Sequence, residues 1–309
     1  MMRWKKLGLV YKPDGSLQWA TSHAMIPTPI RLNDKVVRVF VTFCDDKGIG
    51  RPGYVDVSAQ NPLNVLDISR QPLLDLGNPG TFDENGLLTC CVTDLGDGRM
   101  YMYYAGFELG TKIRYRLLTG LAISVDGGNS FKRYMQTPVL ERSSTELYFR
   151  GGPYCLYTPP RFCLWYVAGS QWVYLNGKSM PVYDIRYAES NDGIHWPDQG
   201  EVQISITKID EHGFGRPCVI RKASGEFRMF YSVRSRSLGS YRLGYAESND
   251  GRNWIRMDEK LNLDVTPDSF DSQAIMYAAP IVINEKLYVF YNGNEFGRDG
   301  FAVALLEDE

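Results

Sequence analysis

The chain has 309 residues, a formal charge of −2 at neutral pH and 44% hydrophobic residues. That is enough apolar material for one large core or two smaller ones, and the near-neutral balance excludes a general nucleic-acid-binding surface. The opening MMRWKKLGLVYKPDG carries charge but no apolar run before Pro13, and no later stretch reaches the length of a membrane span, so neither a secretion signal nor a membrane anchor is expected.

Taken in chain order, the first element is WKKLGLVY (4–11), which reads as the outer strand of a unit. PIRLN (29–33), RVFVTF (38–43) and GYVDV (53–57) follow as three strands. CVTDL (91–95) and RMYMYYAGFE (99–108) open a second unit, whose next strand ends at Ser124. PYCLY (153–157) and RFCLWYVAGS (161–170) open a third, ending at Ser190. PCVIR (217–221) and EFRMFYSVRS (226–235) open a fourth, with a strand ending at Ser248 and an outer strand in WIRMDEKLNL (254–263). PIVIN (280–284), KLYVFY (286–291) and GFAVA (300–304) form a fifth, and the chain stops before its outer strand. The aromatic, alternating pattern suits half-buried strands, and almost no helical periodicity competes with it. The N-terminal strand supplies what the fifth unit lacks. The expected fold is all-β: a five-bladed β-propeller of four-stranded antiparallel blades, closed by the N-terminal strand, as a single domain over residues 1–309.

Between these strands one phrase recurs: GLAISVDGGNSF (120–131), RYAESNDGIHW (186–196) and GYAESNDGRNW (244–254). Asp126, Asp192 and Asp250 suit a tight turn in which the carboxylate accepts backbone amides, and the glycine tolerates positive φ. Phe131, Trp196 and Trp254 can cover the turn and pack between strands. A catalytic constellation occurs once whereas a fold element recurs, so the phrase reads as a hairpin staple and His195 within it as a surface residue. Cys44, Cys90, Cys91, Cys155, Cys163 and Cys218 lie in apolar contexts with no C-x-x-C pair, which reads as buried free thiols in a cytoplasmic protein.

The staple joins strands three and four, so links entering the innermost strands emerge on the opposite face, near the axis. They offer His23; Asp83, Glu84 and Asn85; Glu146 and Arg150; Asp210, Glu211, His212 and Arg216; and Asp271, Gln273 and Tyr277. Loops between strands two and three share that face and bring Lys112, Arg114 and Arg116, then Trp172 and Tyr174, then Arg234, Arg236 and Arg242. Arginine forks match carboxylate or phosphate oxygens, so an anionic ligand is expected. Trp172 and Tyr174 either stack on a sugar or fold over their own blade.

The repeated YAESNDGxxW, the strands MYMYYAG and LYVFYNG, and the entries FDENGLLTCCV and FDSQAIMYAAPIV resemble the five-bladed propeller glycoside hydrolase and phosphorylase-like superfamily, with its arabinanase/xylosidase-, invertase- and mannoside-phosphorylase-like groups. The resemblance covers essentially the whole chain. It implies an axial pocket in which two or three carboxylates from successive blades act on a glycosidic bond. Many relatives open the first blade with Asp before Pro, where this chain reads MIPTP with His23 nearest. There is no RDP in the second blade and no EC pair in the third.

Cleavage of a glycoside needs a proton for the leaving oxygen and a second group for water, phosphate or the sugar carbon, and crowded carboxylates can be driven to different pKa values. The resulting assignment makes Glu146 the acid and Asp83 the base or nucleophile, with Glu211 an alternative acid. Arg150, Arg216 and His212 would bind an anionic sugar or phosphate, with His23, Glu84, Asp271 and Tyr277 completing the substrate site. Two alternatives stand beside this one: an enzyme modifying a phosphorylated or nucleotide-activated sugar, and a glycan-binding propeller without catalysis. Nucleotide-loop, dinucleotide, zinc-protease and serine-hydrolase motifs are absent, and three scattered histidines do not make a zinc site. No cofactor is expected, although carboxylates at the axis would suit Ca²⁺. The expected partner is a carbohydrate or sugar phosphate, with neither nucleic acid nor membrane.

Overall fold

The computed structural model describes residues 1–175 and 177–309. After β1 (Arg3–Tyr11), the strands fall into five antiparallel runs. The first is β2 (Ser22–Arg31), β3 (Val36–Cys44), β4 (Gly50–Ser58) and β5 (Val65–Ile68). The second is β6 (Leu87–Asp94), β7 (Met100–Leu109), β8 (Tyr115–Ser124) and β9 (Lys132–Arg133). The third is β10 (Phe149–Thr158), β11 (Arg161–Leu175), β12 (Lys178–Ser190) and β13 (Glu201–Ile204). The fourth is β14 (Glu211–Arg221), β15 (Phe227–Ser235), β16 (Tyr241–Ser248) and β17 (Ile255–Arg256), followed by one helical turn, α1 (Asp258–Leu261). The fifth is β18 (Met276–Ile283), β19 (Lys286–Asn292) and, after the turn α2 (Asn294–Gly297), β20 (Phe301–Asp308). β1 pairs antiparallel with β20, from Arg3↔Asp308 to Tyr11↔Phe301, and so completes the fifth run.

The strand after Trp254 is shorter than its sequence suggests. Only Ile255 and Arg256 pair with β16, and the DEKL segment turns into α1, because Asp258 is held by Tyr231 and Arg256. The first strand of each run, by contrast, starts earlier than its apolar core suggests. His23, Arg150, Glu211, His212 and Arg216 therefore stand in strands and not in entry loops.

The second strands β3, β7, β15 and β19 are buried on almost every residue. Each run packs a neighbour on both faces, so these strands lose the alternation of a one-sided sheet. The five large core clusters lie between consecutive runs: Phe40 with Met102, Tyr103 with Leu164, Trp165 with Tyr231, Phe230 with Tyr291, and Phe290 with Val39. The last joins the fifth run to the first. The first strands also touch in order, β2 to β6 to β10 to β14 to β18 and back to β2.

The repeated phrase is a turn as its composition suggests. Ser124, Ser190 and Ser248 each donate from Oγ to the Asp two residues on, at 2.7, 2.9 and 2.9 Å. Each Asp carboxylate then accepts backbone amides beyond it. Those bonds outweigh partial burial and hold Asp126 down at about 2, with Asp192 and Asp250 also well below the carboxylate range. The terminal aromatic reaches the preceding run: Phe131 meets Phe40, Trp196 meets Tyr103, and Trp254 meets Trp165. Tyr103 donates its hydroxyl to the Gly193 carbonyl, and Trp165 its indole N–H to the Gly251 carbonyl. The phrase is thus a clasp between runs as well as a hairpin staple. His195 is exposed there and pairs with Asp192. All six cysteines are free, Cys163 half-buried and the others buried.

Candidate active site

The first strand of every run carries a register shift near its middle: Met25/Thr28, Thr89/Cys91, Gly151/Tyr154, Gly215/Cys218 and Met276/Ala279. A bulge re-aims the side chain at the irregularity. The five residues at these shifts, Ile26, Cys90, Gly152, Arg216 and Tyr277, all line one void of about 60 Å³ in the middle of the ring. A larger cavity of about 350 Å³ shares lining residues with it, and all five runs contribute to its walls. His23 comes from β2, Asn85 and Phe107 from the second run, Tyr183 from β12, Arg234 from β15, and Tyr277 and Phe296 from the fifth.

Backbone strain gathers here. Of the non-glycine residues with positive φ, His23 (58°), Ile26 (55°), Tyr277 (56°) and Phe296 (59°) line this cavity. Such conformations cost on the order of 1–3 kcal/mol each and persist where surrounding structure enforces them, commonly at ligand sites.

Arg234 is the dominant charge of the lining. It is 8% exposed and has no carboxylate partner among the described residues. Its Nη1 donates weakly to the Tyr183 hydroxyl at 3.5 Å, and its guanidinium lies 5.1 Å from the Tyr241 ring centre. Tyr183 and Tyr241 share a hydroxyl–hydroxyl bond of 3.0 Å, and Tyr241 packs against Tyr277 and Phe296. Burial raises the pKa of Tyr183, Tyr241 and Tyr277, so all three keep their protons. Below them Arg216, 3% exposed, donates to the Cys90 and Pro27 carbonyls and the Thr28 hydroxyl, at 2.7, 3.1 and 2.9 Å. It too lacks a carboxylate partner among the described residues. Two buried guanidiniums with only neutral partners give the centre a positive field, since arginine does not deprotonate. Arg114 adds a third, exposed cation to the lining.

His23 lies at the same cavity, with Nδ1 2.9 Å from the Ser22 hydroxyl. Burial and then the Arg298 charge lower its pKa, so the imidazole is neutral at pH 7 and can accept a proton.

The expected carboxylates are elsewhere. Asp83, Glu146 and Asp271 are wholly buried and Glu211 nearly so, and none lines the cavity. Each is locked by a cation of its own run, and three of the four by a tyrosine as well. Asp83 accepts from Arg133 at 2.8 Å and Tyr104 at 2.9 Å. Glu146 accepts from Arg186 at 3.0 Å and Tyr166 at 2.9 Å, and Arg150 stands at 2.6 Å. Glu211 meets Arg256 at 2.5 Å, and Arg256 in turn holds the Asp258 to which Tyr231 donates. Asp271 meets Lys6 at 2.5 Å and Tyr291 at 3.4 Å. The carboxylates expected to converge on one pocket are thus held in four separate ionic locks, each tying a residue in or just before a first strand to a later strand of the same run. A wholly enclosed, ion-paired carboxyl cannot deliver a proton to a glycosidic oxygen in the cavity.

Among the other expected substrate residues, His23 and Tyr277 line the cavity. Arg150 belongs to the Glu146 lock, and His212 bonds the Pro181 carbonyl at 3.1 Å. Glu84 is exposed and accepts the Gly80 amide. Trp172 packs on Phe149 of its own run and Tyr115 of the preceding one. Tyr115, Tyr183, Tyr241, Phe107 and Phe296 were not singled out by the sequence. Tyr115 and Tyr241 lie with Arg114 and Arg234 in the basic loops after the second strand, which is the signal that points to them, whereas Phe107 and Phe296 carry no such signal. Among the described residues, no group of three or more His, Cys, Asp or Glu side chains could hold a metal ion. No helix there is long and apolar enough to cross a membrane.

Known structures place the fold. A glycoside hydrolase superposes with a TM-score of 0.75 at 18% identity, over 98% of this chain and 92% of that one. A thermostable family-43 glycoside hydrolase gives 0.66 at 16%, over 95% and 91%. A structure from the GH130 family of mannoside phosphorylases, which contains glycoside hydrolases that target β-1,2 mannosidic linkages in Candida mannan, gives 0.70 at 15%, over 99% and 94%. The chain has the glycoside hydrolase and phosphorylase-like propeller fold. No family model matches it. It is 32% identical over 307 residues to the uncharacterized protein MT1551 of Mycobacterium tuberculosis (strain CDC 1551 / Oshkosh), covering 99% of this chain and all of that one. The uncharacterized protein Rv1502 of strain H37Rv matches over the same span at the same identity. The chain belongs to the family of these mycobacterial proteins.

Proposed function

We propose that this protein is a five-bladed propeller of the glycoside-processing class whose central cavity takes a small saccharide carrying an anionic group, phosphate or carboxylate. The closed order of first-strand contacts and of core clusters supports five blades in one domain. The observation that carries the ligand reading is Arg234, a buried guanidinium without a carboxylate, facing a cavity walled by tyrosines. A buried cation left unpaired costs several kcal/mol, and an incoming anion with forked oxygens offsets that cost.

In this reading Arg234 anchors the anion, and the Arg216 charge beneath and Arg114 on the lining reinforce the field. Tyrosine hydroxyls donate to sugar oxygens, and Tyr115, Phe107 and Phe296 present ring faces to the pyranose. His23 is the group in the lining suited to accept a proton near neutral pH. A reaction built on two protein carboxylates does not fit this lining. That favours chemistry in which the substrate's own anion takes one of those parts, as in transfer to or from phosphate.

The test is thermal shift with hexose phosphates, uronic acids and the parent neutral hexoses. An anionic sugar at a hundred times its Kd stabilises by about 2.7 kcal/mol. Arg234→Met is expected to remove that shift while leaving the unliganded melting temperature equal or higher. Equal stabilisation by neutral hexoses, or an unchanged response in Arg234→Met, would rule the reading out.

A further inference from the structure

A second compartment of about 240 Å³ adjoins the main cavity. The two share three wall residues, Arg234, Tyr241 and Phe296. Ser240, Gln273, Ala274, Met276 and Glu295 are among the other residues that line the smaller one. The cation that attracts the ligand therefore stands on the partition between two compartments, not at the end of one. The partition also carries strained backbone. Glu295 (φ 50°, ψ 42°) and Phe296 (φ 59°, ψ 28°) are consecutive non-glycine residues in the left-handed region. Asn294 pins the segment by accepting the Gln273 and Ala274 amides at 2.7 and 3.0 Å, and its own amide donates to the Phe270 carbonyl. Strain of this kind, held by surrounding bonds, keeps Phe296 between the compartments.

Resting on the anionic-sugar reading, we infer that the anionic group of the ligand is internal: a phosphodiester or diphosphate diester, with the sugar on one side of Arg234 and a second group on the other. The chemistry of the anion makes the distinction. A carboxylate ends the branch it stands on, and a phosphate monoester ends the molecule. A phosphodiester keeps a full negative charge while bearing substituents on both sides, which matches a guanidinium shared by two cavities. The smaller compartment, about 240 Å³, is below the 300–1,000 Å³ usual for ligand sites and the main cavity, about 350 Å³, stands at the low end of that range, so the smaller one reads as an extension of the larger and not as a separate site. The smaller compartment offers the Ser240 hydroxyl, the Gln273 amide and the Glu295 carboxylate to that second group, which suits a polyol or a ribose.

The experiment compares three probe sets by calorimetric titration: the 1-phosphates of glucose, galactose and mannose, with glucuronic acid; their UDP- or GDP-linked forms; and their glycerol phosphodiesters. The tightest probe is expected to be a diester, at least tenfold tighter than its own monoester. The second and third sets identify whether the far group is a nucleoside or a polyol. Gln273→Trp, at an exposed position, and Ser240→Phe fill the smaller compartment. Either is expected to bring diester affinity down to the monoester level and leave monoester affinity within twofold. A monoester or glucuronic acid as the tightest probe, or both filling variants without effect on the diester, would overturn the inference while the anionic-sugar reading stands. No binding by any probe would overturn both.

Discussion

At the scale of single residues, the division of labour among charged groups is the main result. The acidic residues that the chain order made look convergent are each ion-paired to a cation from a strand of their own run, whereas the central cations have no acidic partner among the described residues. Removing one charge of a buried pair strands the other, at a cost of about 3–5 kcal/mol. Glu146→Gln should therefore lower stability by about that amount in denaturant unfolding, because Arg150 loses its carboxylate partner and Arg186 is left with Asp184 alone. Hexose-phosphate affinity of the folded fraction should stay within twofold, since Glu146 is outside the cavity. Loss of binding with stability intact would return Glu146 to the site. These acids were easy to see in sequence because each follows a loop and precedes an inner strand. What sequence could not supply was their partners: Arg133, Arg186 and Lys6 lie 50, 40 and 265 positions away. Arg234 was visible as part of a basic loop, but its lack of a carboxylate is a three-dimensional property.

At the scale of elements, the staple and the bulge divide the work of each run. The staple holds one end of strands three and four and clasps the preceding run through its aromatic. The bulge turns one residue of strand one toward the centre. The staple was legible because Ser, Asp, Gly and an aromatic recur at fixed spacing, and its chemistry is local. Its reach to the neighbouring run was not, because Tyr103 lies 90 positions before Gly193. The bulges were hidden altogether, since Ile26, Cys90, Gly152, Arg216 and Tyr277 share no side-chain chemistry; only the proline following three of them hints at the irregularity. The two parts of the staple should separate under mutation. Asp192→Ala removes hydrogen bonds on an exposed turn and should cost about 1 kcal/mol. Trp196→Ala empties the contact with Tyr103 between two runs and should cost about 3–5 kcal/mol. Equal losses in chemical denaturation would mean that the turn alone, and not the clasp, holds the runs together.

At the scale of the whole molecule, the ring depends on a strand borrowed from the opposite end of the chain. β1 covers β20, which without it would present an open edge to other molecules. The contact is reinforced along its length. Met2 is fully buried, the Trp4 indole donates to the Leu261 carbonyl at 2.7 Å, and its ring meets Phe230 edge-on. Lys6 supplies the charge that neutralises Asp271. Removing residues 1–11 thus strips the fifth run of its outer strand and takes one aromatic anchor and one buried counter-ion from its seam with the fourth run. The shortened chain should unfold at a markedly lower temperature and self-associate through β20. A synthetic peptide of residues 1–11 should bind it in trans and restore both the melting temperature and the monomeric size, because the strand's contacts are made to the ring and not to its own neighbours in sequence. Lys6→Met is the milder form of the same perturbation and should cost about 3–5 kcal/mol by leaving Asp271 buried and unpaired. A shortened chain that melts with the intact protein would show that the ring holds without its closing strand, and the central cavity would then have to be secured by the first-strand contacts alone.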